Sequence, residues 1–201
     1  DEIDRLLDPK VLTNFKRVTA KGEEKVTDFK RDKDGIIREN LIIKGNNLLA
    51  LHSLKKEFQD KVKLIYIDPP YNTGGAMEIF TYNNNFNHST WLTFMKNRLE
   101  VARDFLREDG FVAITIDHEE LFYVGALADE IFGRENRAGI VSIIINPKGR
   151  QNPRFFSAIG EYMLVYAKNV DIGRFRQVVL DEDVSAKFDL EDEEGKFRYE
   201  K

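Results

Sequence analysis

The chain has 201 residues, 42% of them hydrophobic and 33% charged, and no cysteine. That length can bury one sizeable core, and the balance is that of a soluble globular protein. It contains no membrane-length apolar run or signal peptide, and the missing cysteines exclude disulfides and thiolate metal sites, which fits a cytoplasmic protein.

The three histidines, His52, His88 and His118, lie far apart and form no metal motif. The net charge of −4 argues against a general phosphate-binding surface, but the charge is unevenly spread. Residues 181–201 hold nine acids and four bases, which leaves residues 1–180 at +1. Residues 139–160 hold no acid but carry Lys148, Arg150 and Arg154.

In chain order, residues 1–39 are dense in both charges and read as an accessory arm. A small hairpin is expected there, with Lys25–Arg31 and Ile36-Ile37 flanking a turn at Asp34-Gly35. Leu41–Ile43 reads as a short strand ending at Gly45, and Leu48–Phe58 as a helix with Leu48, Leu51 and Leu54 on one face. Leu64–Ile67 reads as a buried strand. Thr73-Gly74-Gly75 opens a loop that ends near Asn87. A helix is expected over about Ser89–Arg107, with Leu92, Met95, Leu99, Ala102 and Leu106 inward and Gly110 just past its end. Phe111–Ile116 reads as a strand, Asp117–Phe132 as a helix, and Gly139–Ile145 and Tyr162–Lys168 as two strands joined by the basic loop. Glu194-Gly195 reads as a turn in the polar tail.

Strand, helix, strand, helix, strand implies an α/β fold, a mostly parallel sheet with a hairpin added at one edge. Ligands of such sheets collect at the C-terminal strand ends, where Gly45-Asn46, Asp68–Tyr71 and Asp117 all fall.

Asp68-Pro69-Pro70-Tyr71 is the stretch that carries chemistry. An exocyclic amine on a nucleobase is a poor nucleophile because its lone pair is delocalised into the ring. Accepting both its N–H bonds frees that pair. The Asp68 carboxylate can be one acceptor and the Pro69 carbonyl the other. Successive prolines hold Asp68 and Pro69 extended, and Tyr71 offers a flat face to an unstacked base.

Other positions keep two readings. Gly45-Asn46-Asn47 suits a helix N-cap or contact with the adenosine part of a cofactor. Asp117 with Glu120 suits a capping box or one wall of a pocket. Lys148–Phe156 suits a solvated hairpin loop or DNA backbone contact through Lys148, Arg150 and Arg154, with Phe155 or Phe156 packed beneath. Trp91 and Phe94 read as core residues.

Asp-Pro-Pro-Tyr after an apolar strand resembles the catalytic motif of amino-methylating DNA methyltransferases. The wider runs Asn40–Leu54 and Ile65–Gly74 are similar to the modification subunit of type III restriction–modification systems, a permuted class that methylates adenine. The resemblance extends from Leu12–Arg17 to Asp192–Arg198.

It implies a Rossmann-like fold dependent on S-adenosylmethionine, and transfer of methyl to the exocyclic amine of a flipped adenine in double-stranded DNA. It also implies a homodimer that joins a restriction subunit. Asp68, Pro69, Pro70 and Tyr71 would be catalytic. Gly45, Asn46, Asp68 and Asp117 would touch the cofactor.

Related enzymes carry a second half-site, Phe-x-Gly-x-Gly, and no such string occurs here. The expectation is therefore a fragment: a charged arm at 1–39, a catalytic half at 40–180, and an acidic segment at 181–201 leading toward a target-recognition region. Such a fragment alone is expected to bind S-adenosylmethionine weakly or not at all. The alternatives are a catalytically incomplete DNA-binding or assembly module, and an amino-methylase acting on cytosine or RNA.

Overall fold

A computed structural model describes residues 12–72, 87–145, 160–175, 190–192 and 195–197. Lys16–Thr19 (β1) and Gly22–Lys25 (β2) form an antiparallel hairpin. Helix α1 spans Asn47–Phe58, strand β3 Val62–Ile67, helix α2 His88–Phe105 and strand β4 Leu106–Ile116. Helix α3 spans Leu121–Phe132. A short 3₁₀ turn, Arg134–Asn136, leads to β5 (Arg137–Ile144), followed by β6 (Gly160–Ala167). Leu190–Asp192 (β7) and Gly195–Phe197 (β8) pair antiparallel on either side of the expected turn.

The main sheet has the order β3-β4-β6-β5. β3 and β4 are parallel, while β6 is antiparallel to both β4 and β5. Hence β3, β4 and β5 point the same way, as the strand–helix–strand succession predicts. β6 runs against them and lies between β4 and β5, so the sheet is mixed rather than mostly parallel in its hydrogen-bonded pairs. The C-terminal ends of β3, β4 and β5 and the start of β6 meet at one edge.

The core lies between one sheet face and the helices. Trp91, Met95 and Leu99 recur at helical spacing on α2, and Val124, Leu127, Ala128 and Ile131 do so on α3. They pack with Val112, Ile114, Ile116, Leu164 and Tyr166 of the sheet. Leu106, expected at the end of the helix, instead opens β4. Its ψ of 135° is extended, and its N–H still caps Ala102 and Arg103. The pairing of β3 and β4 then jumps from Val62↔Leu106 to Leu64↔Phe111. Gly110 sits in that irregularity: a Cβ there would meet the Arg107 and Val62 carbonyl oxygens at 2.9 Å. Gly110 is needed for close backbone approach, not for ending a helix.

One expected element does not form among the described residues, and another is shortened. Leu41–Ile43 forms no ladder with any described strand, and Ile42 is fully exposed. Three apolar residues make a strand only beside a partner, and none of the described strands supplies one. Around Asp34-Gly35 the expected hairpin forms in short form: Asp32 closes the turn by accepting from the Asp34 and Ile36 amides, and the arms meet in one antiparallel bridge, Arg31↔Ile37, flanked by Asp32–Ile36 and Arg38–Lys30 backbone bonds. A second hairpin, β1–β2, lies earlier and is held by opposite charges, Lys16–Glu23 and Arg17–Glu24.

Candidate active site

Asp68 follows β3 at its C-terminal end and is exposed. Thr115 on β4 donates through Oγ1 to Asp68 Oδ1 at 2.9 Å, and the same hydroxyl lies 3.2 Å from the Ile67 carbonyl. One carboxylate oxygen is thereby fixed, and the other takes no hydrogen bond from the described residues. Pro69 is buried, and none of the described residues donates to its carbonyl. The next carbonyl, that of Pro70, accepts from Trp91 Nε1 at 2.8 Å. Of two adjacent proline carbonyls, one is engaged by Trp91 and the other takes no hydrogen bond from the described residues.

Tyr71 packs partly buried against the core, and its hydroxyl donates to Glu161 Oε2 on β6 at 2.8 Å. Burial, reinforced by the carboxylates of Glu161 and Asp68, pushes its phenol above the ordinary range, so it stays neutral. Packing against the core and the hydroxyl bond together restrain the ring.

Asn72 follows in the left-handed region, with φ 57°. Its Nδ2 donates to Glu120 Oε1 at 2.5 Å. The same oxygen is 2.9 Å from Nδ1 of His88, the first residue of α2.

Asp117 follows β4 and is only 2% exposed. Its Oδ1 accepts from the Glu119 amide at 2.9 Å, and its Oδ2 has no partner among the described residues. Burial raises its pKa above the ordinary aspartate value. The expected capping box does not form. Glu120 occupies the residue before α3 without a side-chain cap bond, and its carboxylate serves Asn72 and His88 instead.

At Gly45-Asn46 the helix cap is what forms. Asn46 Oδ1 accepts from the amides of Leu48 and Leu49, and a Cβ at Gly45 would meet open space. Asn47 Oδ1 accepts from Arg98 Nε, tying α1 to α2. Among the described residues no hydrogen bond joins Gly45 or Asn46 to the motif. Lys148, Arg150, Arg154, Phe155, Phe156, Gly74 and Gly75 lie outside the described residues.

Asp68, Pro69, Pro70, Tyr71 and Asp117 thus share one sheet edge. Sequence reasoning missed Thr115, Glu161 and the second roles of Trp91 and Glu120. Thr115 did carry a signal, as the one polar residue within Phe111–Ile116. Trp91 is fully buried as expected, yet also donates to the motif.

A family model described as DNA methylase, covering N6 and N4 methylation, matches residues 62–199. The chain belongs to this N6/N4 DNA methylase family. Its curated relatives include the probable type III restriction-modification enzyme HindVI Mod subunit of Haemophilus influenzae. That protein is 51% identical over 84% of this chain and 23% of its own length. The type III restriction-modification enzyme EcoPI Mod subunit of Escherichia phage P1 is 35% identical over 94% of this chain and 33% of its own length. The chain therefore spans about a quarter to a third of these relatives. Among solved structures, the cytosine-N4-specific PvuII DNA methyltransferase aligns with a TM-score of 0.44 and 13% identity, over 60% of this chain and 47% of that one.

Proposed function

We propose that the intact protein is a site-specific adenine methyltransferase of a type III restriction–modification system. It would transfer methyl from S-adenosylmethionine to the exocyclic amine of an adenine flipped out of duplex DNA. The observation that carries this reading is the pair of adjacent acceptors at the end of β3. Asp68 is oriented by Thr115, and among the described residues the Pro69 carbonyl takes no donor while Trp91 occupies that of Pro70. The Mod-subunit names of the relatives at 51% and 35% identity favour a type III system, and adenine is favoured by the resemblance of Asn40–Leu54 and Ile65–Gly74 to the adenine-methylating class.

In this proposal the amine donates one N–H to Asp68 and the other to the Pro69 carbonyl. The nitrogen lone pair is freed, and the surplus proton leaves through Asp68 to solvent. Tyr71, held by Glu161, gives the base a face to rest on. Fixing nitrogen in line with the methyl carbon supplies the orientational part of the catalysis.

Bound S-adenosylmethionine would contribute an electrophilic methyl group. The donor set at the sheet edge suits it. Asp117 Oδ2 is buried without a partner among the described residues, which is the kind of acceptor that a ligand hydroxyl or ammonium satisfies. Gly45 leaves open space, while the oxygen of Asn46 is spent on the helix cap. Gly45, Asn46, Asp68 and Asp117 would form this half of the cofactor site.

Residues 40–180 would be the catalytic half, with 1–39 an accessory arm and 181–201 leading toward target recognition. Strand β3 supports this division. It is the edge of the sheet, and it exposes Leu64 and Tyr66 by 59% and 62%. Lys148, Arg150 and Arg154 would contact the DNA backbone, since the chain leaves β5 and re-enters β6 at the site edge. A restriction subunit, a second Mod copy and a cytoplasmic setting complete the proposal. No helix is long and apolar enough to cross a membrane among the described residues.

The direct test is nucleoside mass spectrometry of duplex DNA incubated with full-length protein and S-adenosylmethionine. N6-methyladenine is expected. N4-methylcytosine would contradict the assigned base, and no methylated base would contradict the function.

A further inference from the structure

Glu120 is fully buried and takes no part in the amine chemistry above. A carboxylate is held out of water only where its hydrogen bonds justify it, and an apolar residue of similar size would pack there without that cost. Helix capping does not account for it, because Glu120 makes no side-chain cap bond at the start of α3. Its Oε1 instead takes two donors, while its Oε2 is buried with no partner among the described residues. One is Asn72 Nδ2 at 2.5 Å, from the residue after the motif; the other is His88 Nδ1 at 2.9 Å, from the first residue of α2. Donation by His88 requires the proton on Nδ1. The His88 ring stacks on Tyr123 of α3 with centroids 4.3 Å apart. One turn along α2, Trp91 grips the Pro70 carbonyl. The motif is therefore held on both sides of Tyr71: at Pro70 by α2 directly, and at Asn72 by α3 through Glu120.

We propose that Glu120 is a positioning residue. It fixes the left-handed turn at Asn72 and through it the placement of Pro70 and Tyr71 against the target base. This rests on the amine-methylation proposal above. The experiment is steady-state methylation of duplex DNA by full-length wild-type protein and the variants Glu120→Ala, Glu120→Gln, Asn72→Gly and Glu120→Ala/Asn72→Gly.

Loss of orientation should lower kcat of Glu120→Ala on the order of tenfold or more. Its KM for S-adenosylmethionine should stay within about twofold of wild type. Glu120→Gln keeps an acceptor for Asn72 and should recover most of the rate. The double variant should be no slower than Glu120→Ala, because the tie is already cut. Wild-type kcat in folded Glu120→Ala, or losses that multiply in the double variant, would overturn the proposal. Should Glu120→Ala not fold, the other two single variants decide. A slow Asn72→Gly with a nearly intact Glu120→Gln supports the tie, and Asn72→Gly at the wild-type rate overturns it. Inactive wild-type protein would defeat the functional proposal and this one together. Active wild-type protein with an unaffected Glu120→Ala defeats this one alone.

Discussion

Thr115 is buried at 4% exposure, and its hydroxyl holds Asp68 Oδ1. Valine is nearly isosteric but cannot donate. Thr115→Val should therefore lower kcat for methylation on the order of tenfold, while the KM for DNA stays near wild type. Loss in KM with unchanged kcat would contradict its role in orienting the carboxylate. Asp117 gives the opposite kind of prediction. Its pKa is raised by burial, so the folded state binds its proton more tightly than the unfolded state does. Stability is then lost as pH rises from the ordinary aspartate pKa through the raised one. Asp117→Asn keeps an acceptor for the Glu119 amide and removes the charge. Its thermal midpoint at pH 7 should exceed that of wild type, with the gain vanishing below about pH 3.8, the ordinary aspartate value, where both forms are neutral. Such a costly carboxylate fits a residue kept for ligand binding. Asp68–Tyr71 was legible in the sequence because the chemistry is contiguous. Glu161 was not, since ninety residues separate it from Tyr71 and only the β4–β6 pairing brings them together.

At the scale of elements, helices with a strong apolar face were legible to within a few residues. Trp91, Met95, Leu99 and Ala102, at spacings of four, four and three, are buried together on a helix but would split between the two faces of a strand. What escaped was backbone whose reason is tertiary. The β1–β2 hairpin has almost no buried side chains and is stabilised by cross-strand charge pairs, so no apolar alternation announces it. The apolar run Leu41–Ile43 looked like a strand, yet lacks a described neighbour. Gly110 looked like a helix stop and proves to be a contact point between β3 and β4. Gly110→Ala should destabilise the fold by about 1–3 kcal/mol, because the atoms in the way are backbone carbonyls that cannot swing aside. A thermal melt indistinguishable from wild type would contradict the close approach.

Across the whole molecule, three co-directional strands bring Asp68, Asp117 and the start of the basic segment to one edge. Shared strand direction, inferred from element succession, is what places Asp68 and Asp117 at the same end of the sheet. The inserted β6 was legible as an edge hairpin, but its position between β4 and β5 was not, because periodicity says nothing about pairing order. The exposed flank of β3 and the missing Phe-x-Gly-x-Gly string lead to a prediction for residues 1–201 by themselves. Calorimetry should detect weak or no binding of S-adenosylmethionine, and micromolar affinity would contradict a half-site. The central claim concerns Asp68, and its most direct measurement is methyl transfer to duplex DNA by full-length Asp68→Ala, alongside DNA affinity at one fixed salt concentration. Transfer should fall on the order of 10²-fold or more with DNA affinity nearly unchanged. Methylation at the wild-type rate would contradict the account.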